Sequence, residues 1–219
     1  MTEAVRSRRD PWIPVGTAAA TAFVLLAAAV VAWGGLPFDA PVIAAVQGLP
    51  VPDAAWGVLT QLGGGILVPI GIALGLWALV AGRLRLALIV AVVLQGAALF
   101  AEVVKVAIAR PRPPGGELLE AGFSFPSGHS LNSAATYGLL AVVAWRSAAP
   151  RLVRWLAVLV ALVVPVLVGL SRVAIGVHDP SDVLGGWGAG LASVAAGATA
   201  ATLAGAMAEP EREPVGAEA

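Results

Sequence analysis

Residues Pro14–Trp33 read PVGTAAATAFVLLAAAVVAW, a stretch of 20 residues without Asp, Glu, Lys or Arg. A helix of about 20 apolar residues crosses the roughly 30 Å hydrocarbon core of a bilayer, so this stretch predicts a transmembrane helix. The whole chain has the same character: 59% of its 219 residues are hydrophobic and 12% are charged, with a mean hydropathy of +0.90. Soluble domains carry about 25% charged residues. The composition predicts a polytopic membrane protein and excludes a soluble enzyme, a nucleic-acid binder and a disordered scaffold.

Further stretches nearly free of charge bring the number of candidate spans to six, so we predict an all-α fold of six transmembrane helices. Their limits are Pro14–Trp33, Ala54–Ala81, Leu86–Val104, Ser127–Trp145, Leu152–Leu170 and Val183–Ala206. The second and sixth stretches exceed the thickness of the bilayer, which predicts tilt or a loop portion in each. Pro69 and Pro165 fall inside spans and predict kinks.

The segments outside the spans are short. We divide the chain into a cytoplasmic N-terminal arm (1–13), a six-helix transmembrane domain (14–206) and a disordered cytoplasmic tail (207–219), whose composition is polar. Between the first two spans, Leu36–Pro52 forms a proline-rich outer loop. The middle of that loop, Asp39–Gly48, is compatible with a short helix lying in the membrane interface.

The basic residues predict the orientation. With the N-terminus inside, nine of the thirteen lie on the cytoplasmic side: Arg6, Arg8, Arg9, Arg83, Arg85, Arg146, Arg151, Arg154 and Arg212. The other four are Lys105, Arg110, Arg112 and Arg172. Because cytoplasmic loops carry the excess of Lys and Arg, we predict that both termini are cytoplasmic. The four exceptions belong to segments with another role.

The first such segment is Lys105-Val-Ala-Ile-Ala-Arg110-Pro111-Arg112-Pro113, at the outer end of the third span. A juxtamembrane cluster that binds lipid head groups is one interpretation, since long basic side chains snorkel at helix ends. The other is an anion clamp. The planar fork of Arg112 suits phosphate oxygens, and Lys105 adds a compact point charge.

The second segment is Phe125-Pro126-Ser127-Gly128-His129-Ser130, which enters the fourth span from the same side. The pattern is typical of a turn followed by a helix cap. The same geometry favours anion binding, because a helix N-terminus offers free backbone N–H groups. Gly128 permits close approach of the backbone, Ser127 adds a hydroxyl, and His129 is one of two histidines in the chain.

The third segment, Ser171–Asp182, joins the fifth and sixth spans. Asp179 and Pro180 fit a helix N-cap and first position, but a cap explains neither Arg172 nor His178. His178 and Asp182 are four residues apart, so the carboxylate can hold one imidazole N–H and direct the other nitrogen outward. An imidazole held in this way is a competent nucleophile.

All three segments emerge on one face of the membrane, because they follow odd-numbered spans or precede even-numbered ones. Both histidines can therefore converge with three basic residues in a single pocket. The chain has no cysteine, which excludes a thiolate metal site and a cysteine nucleophile. No metal-binding cluster is visible either, since Asp179 and Asp182 alone are a poor magnesium site. We predict that the protein uses no metal and no cofactor.

The motifs Lys105-x6-Arg112-Pro113, Pro126-Ser127-Gly128-His129 and Ser171-Arg172-x5-His178-x3-Asp182 resemble, in order, the three-part signature of the type 2 phosphatidic acid phosphatase superfamily. The resemblance spans Lys105 to Asp182 and agrees with the six-span pattern of the integral-membrane branch, whose active site lies at the extracytoplasmic interface. The resemblance implies catalytic roles for His178 as nucleophile, Asp182 as its orienting carboxylate and His129 as the acid that protonates the leaving group. It implies that the phosphate ligands are Lys105, Arg112, Ser127, Gly128 and Arg172.

The sequence thus predicts a membrane lipid phosphatase that forms a phosphohistidine. We expect a lipid phosphate from the outer leaflet, and leaving-group chemistry favours a polyprenyl pyrophosphate. Phosphatidic acid and phosphatidylglycerol phosphate fit the same geometry. A phosphotransferase of the superfamily shares the intermediate, so hydrolysis and transfer remain open. Outside the superfamily, a transporter predicts charges in mid-span, whereas nearly all charges here lie near span ends.

Overall fold

The structure is a computed structural model that describes residues 10–116 and 119–205. The described residues form eight α-helices and no strand, which confirms the all-α prediction. The helices are α1 (Trp12–Trp33), α2 (Asp39–Gln47), α3 (Asp53–Gln61), α4 (Leu67–Val80), α5 (Leu84–Ile108), α6 (Gly128–Arg146), α7 (Arg151–Ala174) and α8 (Pro180–Leu203).

Four of the helices, α1, α5, α7 and α8, are long and apolar enough to cross a membrane. Helix α6 has 19 residues but opens with the polar sequence Gly-His-Ser-Leu-Asn-Ser, and α4 has only 14 residues. Many large apolar side chains on α1, α5 and α7 face outward. Such exposure is unfavourable in water and is expected of helices that contact lipid.

The second predicted span, Ala54–Ala81, is not one helix. It is divided into α3 and α4 by a turn that contains Gly63, Gly64 and Gly65. Glycine is needed here because a Cβ on Gly63 would overlap Cγ1 of Val168 and lie 3.1 Å from the carbonyl oxygen of His129. A Cβ on Gly64 would lie 3.2 Å from Nε2 of His129. The break in the span therefore makes room for His129.

The other predictions about the helices and the termini have different outcomes. The kink predicted at Pro69 is wrong, because Pro69 lies in the first turn of α4, where its missing N–H has no partner to lose. Pro165 does lie inside α7. Helix α2 confirms the short helix predicted within Asp39–Gly48. Most of the predicted N-terminal arm and all of the predicted tail lie outside the described residues.

Close packing of α6 on α8 positions the site. Gly186 and Gly190 of α8 meet the backbone of α6: a Cβ at Gly186 would lie 2.6 Å from the carbonyl oxygen of Ser127, and one at Gly190 would lie 2.7 Å from that of Leu131. Small residues allow helices to approach to backbone contact. A hydrogen bond from the Ser127 N–H to the Asp182 carbonyl (3.0 Å) then joins the two helix N-termini.

Candidate active site

The three sequence segments meet at one end of the helix bundle. Hydrogen bonds between residues far apart in sequence connect three elements there: the end of α5, the start of α6 and the α7–α8 turn. Arg112 Nη1 donates to the carbonyl of Val177 (3.0 Å), and its Nε and Nη2 donate to the carbonyls of Gly122 and Ala121 (3.1 and 3.0 Å). Arg112 therefore holds the α5–α6 connection against the turn that carries His178.

His178 is fully enclosed, with 1% of its surface exposed. Arg112 Nη1 lies 3.3 Å from its Nε2, and a guanidinium can only donate, so Nε2 is the acceptor and carries the lone pair. The ring proton of the neutral imidazole is then on Nδ1. That atom lies 3.2 Å from the hydroxyl oxygen of Ser124 and 3.5 Å from Oδ2 of Asp182. Because Ser124 donates its own proton to Asp182 Oδ2, it bridges histidine and carboxylate.

The electrostatic surroundings keep His178 neutral. Burial lowers the pKa of His178 below its usual range. The hydrogen bond and charge of Asp182 act in the opposite direction, and Arg172 and Arg112 lower the pKa further. The net lowering favours the unprotonated Nε2 that a nucleophile requires.

An unpredicted carboxylate lies directly in front of this nitrogen. Glu120 Oε2 is 2.9 Å from Arg112 Nη1, 2.7 Å from Arg172 Nη2 and 3.7 Å from His178 Nε2. Partial burial raises the pKa of Glu120, but the charges of Arg172 and Arg112 outweigh that effect and bring it below its ordinary value. A carboxylate thus occupies the place between the two guanidinium groups and Nε2 of His178.

Arg172 is buried and only partly satisfied by the protein. Its Nη1 donates to the hydroxyl of Thr60 on α3 (2.8 Å), and Nη2 approaches Glu120. Among the described residues, its buried Nε has no hydrogen-bond partner. A buried donor left unpaired is costly, so Arg172 retains capacity for another acceptor from a ligand.

His129 and Lys105 border the same place. His129, the second residue of α6, lies within the electrostatic influence of Arg172, Glu120, His178 and Lys105. The Lys105 Nζ lies beside Gly128, 3.5 Å from the position that a Cβ would take there, and forms an ion pair with Glu102 (2.9 Å). The start of α6 therefore presents its histidine, its free N–H groups and a neighbouring cation together.

Ser127 is the N-cap of α6. Its side chain is fully buried and accepts hydrogen bonds from the backbone N–H and the hydroxyl of Ser130, at 3.4 and 3.0 Å. The sequence predicts Ser127 as a phosphate ligand. In the structure its hydroxyl serves the helix cap, so any ligand contact would come from the N–H groups that follow.

Arg110, just after the end of α5, contacts the side of Asp182 that faces away from His178. It forms ion pairs with Asp182 Oδ1, with Asp179 Oδ2 (2.8 Å) and with Asp39 Oδ2 (3.4 Å), and it donates to the Ser181 hydroxyl (2.8 Å). Burial raises the pKa of Asp179 to about 6 although Arg110 opposes the shift. Asp179 therefore takes up a proton more readily than an ordinary aspartate.

Sequence reasoning missed the roles of Asp39, Arg110, Glu120 and Ser124. Only Arg110 left a signal, as an outer basic residue at a position that the Lys105-x6-Arg112 motif leaves unspecified. Glu120 belongs to the connection between α5 and α6, in which Glu117 and Leu118 lie outside the described residues. Among the described residues, no group of three or more His, Cys, Asp or Glu side chains is arranged to hold a metal ion.

Comparison with known proteins identifies the family of the chain. The profile of the PAP2 superfamily matches residues 84–204, more than half of the chain. Phosphatidylglycerophosphatase B of Bacillus subtilis (strain 168) is 44% identical over 93 residues, which are 41% of this chain and 45% of the relative, so the chain spans less than half the length of that curated protein.

A solved structure is similar over a greater length. The crystal structure of a transmembrane PAP2 type phosphatidylglycerolphosphate phosphatase from Bacillus subtilis superposes with a TM-score of 0.71 and 30% identity, covering 82% of this chain and 92% of the other. Residues 84–204, which match the family profile, include all three motifs and the helices α5, α6, α7 and α8 that carry them. The chain is a multi-pass membrane protein and belongs to the PAP2 superfamily.

Proposed function

We propose that this protein is a metal-independent lipid phosphate phosphatase that works through a phosphohistidine on His178. The observation that carries the proposal is the position of Glu120. Its carboxylate marks a place where two guanidinium groups hold an anion 3.7 Å from the free nitrogen of His178. A terminal phosphoryl group that displaces Glu120 would meet the nucleophile and its charge stabilisation at once.

The charges suit a phosphoryl group better than a carboxylate. Phosphoryl transfer spreads charge over three equatorial oxygens, whereas Glu120 provides two. The unpartnered Nε of Arg172 and the N–H groups at the start of α6 are donors for the third oxygen. Lys105 adds a cation at the same helix N-terminus.

The reaction then has two steps. His178 Nε2 attacks phosphorus, the N–P bond forms, and the bond from phosphorus to the lipid oxygen breaks while His129 protonates that oxygen. Asp182, through Ser124, stabilises the positive charge that develops on the imidazole. Water next attacks the phosphohistidine with His129 as base, which releases inorganic phosphate and regenerates His178. An alcohol in place of water would make the enzyme a phosphotransferase.

We further propose six crossings of the membrane, with α3 and α4 together forming the second. Both termini would be cytoplasmic, and the active site would face the outer leaflet. The proposal is supported by the excess of basic residues on the opposite side and by the joint position of the α5, α6, α7 and α8 ends. A lipid tail in the outer leaflet would leave its phosphate level with His178.

The relatives named above direct the choice of substrate toward phosphatidylglycerophosphate. Polyprenyl pyrophosphate remains the alternative favoured by its leaving group. The test is the release of inorganic phosphate by purified protein in mixed micelles from phosphatidylglycerophosphate, phosphatidic acid, undecaprenyl pyrophosphate and a soluble phosphomonoester. We expect turnover of lipids in excess chelator and none by His178→Ala. A need for added metal, or turnover of the soluble ester as fast as any lipid, would contradict the proposal.

A second experiment tests the role assigned to the Glu120 position. Glu120→Gln removes the competing charge and keeps the shape, so inorganic phosphate should inhibit the variant on the order of tenfold more strongly, equivalent to about 1.4 kcal/mol. Asp53→Asn is the matched control, because Asp53 is an exposed carboxylate at the start of α3. Unchanged or weaker inhibition of Glu120→Gln by phosphate would place the phosphoryl group elsewhere.

A further inference from the structure

Arg110 touches neither Glu120 nor His178 in any hydrogen bond or ion pair of the structure, yet it is among the most connected side chains of the site. It is 6% exposed. One nitrogen, Nη1, serves Asp182 and Ser181 of α8, and the other, Nη2, serves Asp179 and Asp39. A lysine has no such fork, so the arrangement depends on the planar guanidinium.

Asp39, the first residue of α2, pairs with the Arg110 nitrogen that does not contact Asp182. Its Oδ1 accepts the backbone N–H of Ser181 (2.9 Å), and its Oδ2 accepts the Ser181 hydroxyl (2.8 Å) and the N–H of Leu36 (2.9 Å). The carboxylate is 6% exposed and its acceptor capacity is used. Asp39 thus connects α2 to the first turn of α8, the turn that contains Asp182.

The two oxygens of Asp182 face different partners. Oδ1 receives Arg110, whereas Oδ2 receives the Ser124 hydroxyl and the Asp179 N–H (2.9 Å) and faces His178 Nδ1. The contact with Arg110 therefore determines which oxygen remains for the histidine side. Removal of one partner of a buried ion pair leaves an uncompensated charge that reorganises its surroundings.

We propose that Arg110, held by Asp39, is a positioning residue that orients Asp182 and so keeps the His178 proton on Nδ1 and its lone pair on Nε2. Helix α2, which contains no motif residue, thereby belongs to the catalytic centre. The catalytic consequence of this inference rests on the proposed function. Its structural consequence, the tautomer of His178, does not.

The tautomer can be measured directly, since the chain contains only His129 and His178. In protein labelled with ¹⁵N-histidine, the His178 signals should show one neutral tautomer with the proton on Nδ1, and Arg151→Gln should keep it. Arg151 is exposed at the start of α7 and undergoes the same substitution as the test variant. Arg110→Gln should give a mixture of tautomers. If Arg110→Gln does not fold, Asp39→Asn tests the same claim with Arg110 in place.

Kinetics provide the second readout. By analogy with hydrogen-bond partners of metal-bound histidines, whose loss costs about 10–100-fold, Arg110→Gln should lower kcat by that factor and leave KM within about threefold. In the Asp182→Asn background, Arg110→Gln should lower kcat little further, because Arg110 acts through Asp182.

A single Nδ1–H tautomer in both Arg110→Gln and Asp39→Asn, or additive losses of kcat in the double variant, would overturn the inference. Absence of hydrolysis by the wild-type protein would instead refute the proposed function, and the NMR comparison would still decide the role of Arg110.

Discussion

Arg112 and His178 are in direct contact: Nη1 of the arginine lies 3.3 Å from Nε2 of the histidine. The same guanidinium nitrogen is 2.9 Å from the Glu120 carboxylate. One guanidinium nitrogen therefore lies beside both the histidine ring and the carboxylate, and in the proposed mechanism the carboxylate occupies the place of the phosphoryl group. Because an arginine cannot accept a hydrogen bond, this contact favours a neutral His178 that carries its proton on Nδ1.

The first prediction concerns pH. Only unprotonated His178 can attack, and burial brings the pKa of His178 below its ordinary value of 6.5. Activity should therefore be lost only below pH 6.5, as His178 becomes protonated. The acid limb of the pH profile of kcat/KM reports the pKa of this group in the free enzyme. Asp182→Asn removes interactions that raise the pKa of His178, so its residual activity should extend to lower pH. An acid limb at or above pH 6.5 would contradict the assignment.

Ser124 is predicted to matter although it belongs to no motif. Ser124→Ala removes the bridge between His178 and Asp182 and leaves a buried carboxylate oxygen short of one donor, at a cost of about 1–3 kcal/mol of folding free energy. We expect a clear fall in kcat, with KM nearly unchanged. Ser133→Ala is the control, since Ser133 is equally buried but donates to the carbonyl of Ser130. Equal kinetics for the two variants would show that the bridge has no catalytic role.

Helix packing leads to a third prediction. A Cβ at Gly186 would lie 2.6 Å from the Ser127 carbonyl and 2.8 Å from the Ser130 Cβ, so Gly186→Ala must separate α6 from α8. Overpacking of this kind costs about 1–3 kcal/mol, and it moves His129 relative to His178. Gly188→Ala is the control, because its nearest contacts would be at 3.6 Å. The thermal unfolding temperature and kcat should both fall for Gly186→Ala and stay unchanged for Gly188→Ala. Equal changes in the two variants would refute the packing argument.

Much of the site could be predicted because the residue types and spacing of the motifs indicate their chemistry. His178 and Asp182 flank the start of α8, and the order of the predicted spans places His129 and Arg172 at the same end of the bundle. Glu120 could not be predicted, since nothing in a loop sequence fixes the direction of a carboxylate. Asp39 lies more than 140 residues from Ser181 in sequence, and only tertiary packing reveals their contact.

The fold shows the same division. Charge-free length predicts where apolar helices lie. Helices α5 and α7 extend a few residues beyond the predicted limits at both ends, because polar residues such as Lys105 complete their terminal turns. Helix α8 begins earlier than predicted, at Pro180, because its first turn includes Asp182, and it ends at Leu203, before the predicted limit. Hydropathy could not predict the break between α3 and α4. Its cause is the approach of His129 to Gly63 and Gly64, which is a tertiary contact.

Topology is open to a direct test because the chain has no cysteine. Pro114→Cys, in the exposed connection after α5, should react with an impermeant maleimide from outside the cell. Ala148→Cys, in the exposed turn between α6 and α7, should react only after permeabilisation. The reverse pattern would place the active site on the cytoplasmic side.

The central claim is that His178 accepts the phosphoryl group, and trapping of the phosphoenzyme tests it most directly. His129→Ala retains the nucleophile but lacks the base for the second step, so a substrate with a good leaving group should leave phosphate on the protein. Mass spectrometry after rapid quenching under alkaline conditions, where phosphohistidine survives, should locate one phosphate on His178 and none in His129→Ala/His178→Ala. Phosphate on another residue, or turnover that needs no His178, would contradict the account.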